Sequence, residues 1–179
     1  EVAKIISVAM SGKREGFSWG LVAGKLELTG VEGEHCIEII AELDPWSNTS
    51  LSGLYASNHK LVTQCEAQGF RRIFPFPDQP DILTTYKVSI AADENVFPVM
   101  LSNGNLIETQ TLANGRVIKT YHDPFPKPSY LFAMVLGDFH CVADTFLTAD
   151  QRTIDLRIYS ESANELNCKR AMEALKKAM

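Results

Sequence analysis

Apolar and polar side chains alternate with a period of two through much of this chain, and few folds are compatible with that pattern. Residues 153–159 place three aliphatic side chains on one face and two charged side chains on the other, and 25–28, 37–43 and 82–90 alternate similarly. Successive side chains of a β-strand point to opposite faces, so these segments are predicted to be half-buried strands. The continuously apolar run 130–136 predicts a central strand covered on both faces.

Two Asn-Gly pairs, at 103–104 and 114–115, predict tight turns. Both residue types accept the positive φ angles that short hairpins require. The two turns separate predicted strands over 96–102, 106–112 and 116–121. The three strands would therefore form an antiparallel meander.

Two segments, 74–80 and 123–128, interleave proline with aromatic residues. Proline has no N–H group to donate to a sheet ladder, so both segments are predicted to be loops or sheet edges. Their aromatic side chains favour ordered loops that pack on the body of the domain over flexible linkers.

Only the end of the chain has helical periodicity. Ser162-Ala163-Asn164-Glu165 fits a capping box, and four apolar residues then follow one helical stripe: Cys168, Met172, Leu175 and Met179. The stripe reaches the last residue, which predicts a helix leading toward a domain beyond this chain. The predicted fold class is all-β: an antiparallel β-sandwich or saddle-like sheet domain with one C-terminal α-helix.

Composition and charge exclude several classes of function. Lys and Arg number 17 against 22 Asp and Glu, a net charge of −5, and an acidic chain without a basic run is poorly suited to nucleic acid. No apolar stretch approaches the ~20 residues that span a bilayer, and no signal peptide precedes the first strand. We therefore expect no membrane partner and a cytoplasmic location. The four cysteines have no C-x-x-C spacing and are predicted to be reduced thiols packed in the core.

The sequence contains no complete catalytic motif. None of its four histidines occurs in H-E-x-x-H or H-x-H spacing, so nothing indicates a metal site within the chain. The G-x-S-x-G nucleophile elbow is absent, and no glycine-rich phosphate loop precedes a helix. No residue of the chain is therefore predicted to be catalytic.

One polar pair is a candidate binding feature. In a strand over 61–66, Gln64 and Glu66 would project to one face and Cys65 to the other. A carboxylate beside an amide suits a protonated amine, because charge-assisted hydrogen bonds to carboxylates are strong and directional. On the pattern alone, the alternative is a solvated face on which Glu66 pairs with Arg71 or Arg72.

Separated blocks of the sequence carry a family resemblance. They are TQCEAQGFRRIFPFPDQPD, LSNGN, DPFPKPSYLFAMVLGDF and the final LKKAM. Together they closely resemble the amino-terminal domain of the aminopeptidase N (alanyl aminopeptidase) family of zinc gluzincin metallopeptidases, especially its bacterial-type branch. The resemblance runs from about Asn48 to Met179, whereas residues 1–45 resemble the family only in their strand pattern.

The resemblance implies an architecture and a role for the polar pair. In that family an amino-terminal β domain caps a thermolysin-like zinc domain, and the Gln and Glu of the Q-C-E block reach into the active site. They correspond here to Gln64 and Glu66, which would bind the free α-amino group of peptide amino termini. Residues 1–160 would be the cap domain, and 161–179 a helix that begins the catalytic domain, the cap's partner.

The family's catalytic motifs lie outside this chain. Neither G-x-M-E-N nor H-E-x-x-H with its downstream zinc-ligand Glu is present. We therefore expect zinc in the full-length parent, a hydrolase that releases amino-terminal residues from peptides, but neither zinc nor peptidase activity in the isolated chain. The alternative function is a stand-alone β-sandwich module that binds peptide or carbohydrate. A lipid-carrying barrel is less consistent with the proline loops and with the lack of one closed up-and-down pattern.

Overall fold

The computed structural model describes residues 3–12, 16–161 and 164–179, and these are dominated by β-strands. The strands are β1 Lys4–Met10, β2 Ser18–Val22, β3 Lys25–Thr29, β4 Ile37–Glu42, β5 Gly53–Ser57, β6 Lys60–Gln64, β7 Leu83–Asp93, β8 Val99–Ser102, β9 Asn105–Thr111, β10 Arg116–Pro128, β11 Met134–Gly137, β12 His140–Leu147 and β13 Thr153–Ser160. Single 3₁₀ turns form at Phe70–Arg72 and Ser129–Leu131, and the one described α-helix is α1, Glu165–Ala178.

The described strands form five antiparallel sheets. The two largest have the strand orders β5-β6-β11-β8 and β7-β10-β9, and the others are the pairs β1-β4, β2-β3 and β12-β13. Strands predicted from alternation are confirmed at β3, β4, β7 and β13. The predicted all-β class with one C-terminal helix is therefore confirmed.

The two largest sheets share a buried core. One cluster of buried residues consists of Ile90, Ala92, Met100, Val117, Tyr121 and Leu136. The Tyr121 hydroxyl of β10 donates a hydrogen bond of 2.5 Å to the carbonyl oxygen of Met100 in β8. A buried hydroxyl without a hydrogen-bond partner destabilises the fold. The bond therefore favours the one arrangement of the two sheets in which Tyr121 reaches Met100.

The first Asn-Gly turn does not join a pair of neighbouring strands, so the predicted three-stranded meander is wrong. β8 pairs with β11 and β9 pairs with β10, and the turn carries the chain from one sheet to the other. Asn103 stabilises the crossing, because its side chain donates to the Leu131 carbonyl oxygen at 3.0 Å and accepts from the Ala133 N–H at 2.6 Å. The second turn, at 114–115, joins β9 to β10 as predicted.

One of the two proline-rich segments is not a loop. Residues 74–80 form a loop as predicted, and 123–128 lie in the last part of β10, which pairs with β7 alone and is therefore a sheet edge, the other predicted possibility. The register between β10 and β7 is irregular from Asp123 to Lys127, the stretch that contains Pro124 and Pro126. A local irregularity tolerates residues that cannot donate to the ladder, and this explains why the strand continues past them.

The strand predicted over 130–136 is too long. Its first part is the 3₁₀ turn Ser129–Leu131, and β11 begins only at Met134. Phe132 lies between them and is buried against Phe70 and Tyr86. The central position of β11 is confirmed, since it lies between β6 and β8.

Helix α1 packs on the β12-β13 hairpin. Cys168 and Met172 of the predicted stripe are buried, whereas Leu175 and Met179 are exposed. Lys176 Nζ lies 2.5 Å from an Asp144 carboxylate oxygen of β12 and anchors the helix. The predicted capping box includes Ser162 and Ala163, which lie outside the described residues, as do 1–2 and 13–15.

The thiols differ from the prediction in their burial. Cys65 and Cys168 are buried, but Cys36 and Cys141 are exposed, and all four are free. Cys36 lies just before β4 and Cys141 within β12, and both strands belong to two-stranded sheets, which leave much of their surface uncovered. Within the described part of the chain, no helix is both long enough and apolar enough to cross a membrane.

The turn at Gly104 permits a matched test of the crossing between sheets. Gly104 has φ +80°, and a Cβ there would lie 2.2 Å from the His122 carbonyl oxygen. Gly115 has φ +79° and no atom within 4 Å of such a Cβ. Gly115→Ala should therefore cost only about 1 kcal/mol of unfolding free energy, whereas Gly104→Ala should cost about 1–3 kcal/mol more, because the backbone must move as well. Urea denaturation measures both, and equal losses would contradict the proposed contact.

Candidate amine-binding site

Gln64 and Glu66 lie where β6 ends and the chain turns toward the 3₁₀ turn at Phe70–Arg72. The predicted strand over 61–66 ends at Gln64, so Glu66 lies in a turn and not on a strand. The predicted alternation of burial nevertheless holds, because Gln64 and Glu66 are exposed whereas Cys65 is only 3% exposed. Cys65 thus anchors the turn from beneath while its two polar neighbours face solvent.

The turn is tight and depends on Gly69. The Gly69 N–H donates to the Cys65 carbonyl oxygen at 2.8 Å, and the Glu66–Ala67 peptide bond is cis. A Cβ at Gly69 would lie 2.2 Å from the Gln64 carbonyl oxygen, closer than any side chain could be accommodated without moving the backbone. The close approach of 69 to 64 therefore requires glycine.

The two polar side chains are brought together, although not by strand geometry. Gln64 Nε2 lies 3.4 Å from the Glu66 backbone carbonyl oxygen, which leaves the Glu66 carboxylate itself exposed. No described cation forms an ion pair with Glu66, and Arg71, one of its two predicted partners, pairs with Asp78 instead. An exposed, uncompensated carboxylate on a constrained turn can accept hydrogen bonds from an ammonium group.

Asp78 is the buried group that holds this region together. It is 4% exposed, and its Oδ2 accepts hydrogen bonds from the Arg71 backbone N–H and from Arg71 Nε, both at 3.1 Å. The Asp78 carbonyl oxygen accepts a third bond from Arg71 Nη2 at 2.6 Å, and its Oδ1 accepts from the Ser129 hydroxyl. Asp78 therefore joins the 74–80 loop to the segment after Glu66 and to the start of the 3₁₀ turn at Ser129.

The pKa values of Asp78 and Cys65 shift in opposite directions. Burial alone would raise the pKa of Asp78, but the hydrogen bonds from Ser129 and Arg71 and the Arg71 charge hold that pKa below its usual value. Burial, with a smaller contribution from the Asp78 charge, raises the pKa of Cys65 to about 12. Cys65 is therefore a protonated thiol near neutral pH, which fits a packing role and not a nucleophilic one.

Aromatic rings form the floor beneath the turn. The Phe70 ring makes edge-to-face contacts with Phe76, Tyr86 and Phe132, at centroid distances of 5.3, 6.0 and 5.0 Å. Rings in this geometry contribute about 0.5–1.5 kcal/mol per pair beyond the burial of their area. The rings and the Asp78 bonds constrain the backbone that presents Glu66.

Sequence reasoning missed Asp78 and Ser129. They lie 51 residues apart, and no motif links a carboxylate in a loop to a serine at the end of a distant strand. The position of Asp78 between prolines indicated only a loop. No group of three or more His, Cys, Asp or Glu side chains among the described residues is placed to hold a metal ion.

Comparisons with known proteins bear on this geometry. Residues 28–131 match the family model described as the Peptidase M1 N-terminal domain. Aminopeptidase N of Caulobacter vibrioides is 41% identical over 180 residues, which cover all of this chain and 21% of that protein. Aminopeptidase N of Escherichia coli is 40% identical, covering all of this chain and 20% of that protein. The chain thus spans about a fifth of the length of these relatives.

Solved structures share the fold. The crystal structure of Legionella pneumophila aminopeptidase A in complex with aspartic acid matches with a TM-score of 0.89 and 34% identity, over 100% of this chain and 21% of that one. The M1 zinc metallopeptidase from Deinococcus radiodurans matches with a TM-score of 0.69 over 90% of this chain and 38% of that one. Its identity is 19%, so it supports the fold alone.

The Asp78 bonds make a pH-dependent contribution to stability. A carboxyl whose pKa is lowered on folding stabilises the fold above its unfolded pKa of about 4, and that stabilisation is lost as the pH falls through the folded pKa. Asp78→Asn should therefore lower the unfolding free energy by about 2–3 kcal/mol at pH 7, with a smaller difference at pH 3. Urea denaturation at both pH values measures this.

The exposed Asp150–Arg152 pair provides the control for that measurement. Asp150→Asn should change the unfolding free energy at pH 7 far less than Asp78→Asn does, because exposed ion pairs contribute little. A loss from Asp78→Asn as small as this control, or one that does not change with pH, would show that the Asp78 carboxylate does not hold the region together.

Proposed function

The chain belongs to the Peptidase M1 N-terminal domain family, and we propose that it is the cap of a zinc-dependent aminopeptidase, a parent protein that releases amino-terminal residues from peptides. This membership confirms the family resemblance found in the sequence. The whole chain aligns with aminopeptidase N of two bacteria at about 40% identity, and the aligned part is about a fifth of each of those proteins. This supports the proposal. A stand-alone binding module is less consistent with such a match.

Within the parent, the role we assign to this chain is recognition of the substrate's α-amino group. The observation that carries this role is the exposed Glu66 carboxylate, held on a constrained turn without an ion-pair partner among the described residues. Glu66 would accept hydrogen bonds from the substrate ammonium. Gln64, whose amide donates to the Glu66 backbone, would orient the turn, and its amide oxygen is an additional acceptor.

The catalytic parts belong to the parent and not to this chain. The described residues do not form a zinc site. We therefore assign the zinc ligands, and the general base that activates the attacking water, to the parent's catalytic domain. Residues 1–160 would form the cap, and 161–179 would lead into that domain, the cap's partner. The apolar side chains of Leu175 and Met179, exposed here, suit such a contact. We place the parent in the cytoplasm.

Removing the charge of Glu66 tests the amine role in the parent protein. Glu66→Gln keeps the size and one acceptor oxygen of the side chain but loses the charge-assisted contact, worth about 1.5–3 kcal/mol. The kcat/KM for aminoacyl substrates should fall roughly 10- to 150-fold, with a raised KM. Steady-state hydrolysis of an aminoacyl chromogen measures both, and Glu108→Gln, on the exposed strand β9, is the control. Unchanged kinetics for Glu66→Gln would remove it from the site.

The isolated chain should have no peptidase activity. It lacks a group of side chains that could bind zinc, among the residues described, and catalysis by a metal-activated water needs that metal. Hydrolysis of an aminoacyl chromogen by the chain with stoichiometric zinc should stay at the uncatalysed rate, while the parent turns over under the same conditions. Zinc-dependent turnover by the chain alone would contradict the assignment of catalysis to the parent.

A further inference from the structure

A cleft of about 380 Å³ borders the 3₁₀ turn at Phe70–Arg72, and Glu66 is not among its lining residues. It is formed where the end of β4 and the segment that follows it meet β5 and the turn at Phe70–Arg72. The charged side chains of its lining are Lys4, Glu42, Asp44 and Arg72. A volume of this size matches the smaller ligand pockets of proteins.

Arg72 is unpaired although it is partly buried. Its Nε is buried, and no described group accepts a hydrogen bond from it. None of the ion pairs among the described residues includes Arg72, in contrast to its neighbour Arg71, which is bonded to Asp78. The Arg72 charge therefore has no carboxylate partner among the described residues, and a carboxylate is the ligand whose two oxygens match the terminal N–H groups of a guanidinium.

The other three charged side chains of the cleft are Lys4, Glu42 and Asp44, and they differ in whether they have an ion-pair partner. Lys4 and Glu42 face each other with 3.7 Å between Nζ and Oε2, so they largely compensate one another. Asp44 accepts the Trp46 N–H at 3.1 Å, but no described cation lies within ion-pair distance of it. Arg72 and Asp44 therefore line the same cleft, and neither has an ion-pair partner among the described residues.

The wall of the cleft is fixed before any ligand binds. Asn48 Nδ2 donates to the carbonyl oxygens of Ser52 and Leu54, at 2.9 and 2.8 Å, and its Oδ1 accepts from Ser50. The Ser47 hydroxyl donates to the Asp44 carbonyl oxygen at 3.1 Å. A wall held in this way loses little conformational entropy on binding, which favours affinity for a small ligand.

We propose that this cleft is a second binding site, for a small zwitterion such as a free amino acid. The ligand's carboxylate binds the guanidinium of Arg72, and its ammonium group lies toward the carboxylate of Asp44. The inference does not use the amine-binding role of Glu66, which lies outside the cleft lining.

Isothermal titration calorimetry of the parent protein tests the proposal. Glycine, β-alanine and 4-aminobutyrate separate the two charges by increasing distances, and butyrate and butylamine each carry only one of them. At least one of the three zwitterions should bind, and Arg72→Gln should weaken its binding tenfold or more. Asp44→Asn, which keeps the acceptor for the Trp46 N–H, should also weaken it. Butyrate and butylamine should bind at least tenfold more weakly than that zwitterion.

Controls separate this site from the amine site and from misfolding. Arg152→Gln, which alters a paired and exposed arginine in the loop between β12 and β13, should leave binding unchanged. Glu66→Gln should lower peptide hydrolysis without removing the Arg72-dependent binding. Far-ultraviolet circular dichroism checks that each variant is folded, and Arg72→Lys, which keeps the charge but loses the fork, should still weaken binding.

Three results would overturn the proposal. The first is affinity for all three zwitterions that is unchanged by Arg72→Gln and Asp44→Asn. The second is butyrate binding as tightly as the best zwitterion, because the ammonium contact would then have no role. The third is a crystal structure of the parent in which a carboxylate from elsewhere in the parent already occupies the Arg72 guanidinium.

Discussion

The bonded carboxylate of Asp78 is the interaction on which the candidate site depends. A carboxylate that is almost removed from water is stable only if its oxygens are satisfied, and here Arg71 and Ser129 supply the donors. Those donors come from the turn after Glu66 and from the end of β10. The buried Asp78 charge thus connects two parts of the chain that are distant in sequence. Because Arg71 pairs with Asp78, it does not neutralise Glu66, which lies a few residues before Arg71 in the chain.

Because Arg71 pairs with Asp78 and not with Glu66, these two carboxylates have different roles. Asp78 is buried and its charge is compensated, so it serves the structure, whereas Glu66 is exposed and uncompensated, so its charge is available to a ligand. Gly69 makes this possible because it brings the chain back against Gln64 with no side chain in between. The turn presents Glu66 outward while Cys65 holds the backbone from inside.

Much of the fold could be predicted from the sequence, because strand alternation and the helical stripe are local signals. The Gln64–Glu66 pair was proposed from its chemistry and stays a prediction, whereas the burial of Cys65 between them was predicted from alternation and is confirmed. What failed or was missed depended on contacts distant in sequence: the pairing of β8 with β11 rather than β9, and the Asp78–Ser129 bond. A local pattern predicts that a strand exists but does not specify which partner it will choose.

The pairing of β11 with both β6 and β8 makes the completion of this sheet depend on contacts that are distant in sequence. The β5-β6 hairpin is local, and it can form early in folding. Its sheet is completed only when residues 134–137 insert between β6 and β8, and Thr63 then bonds to Met134, 71 residues away in the chain. Closing loops of that length is slow compared with forming a hairpin. The strand that carries Gln64 therefore has only β5 as a neighbour until residues 134–137 have been synthesised and have paired with it.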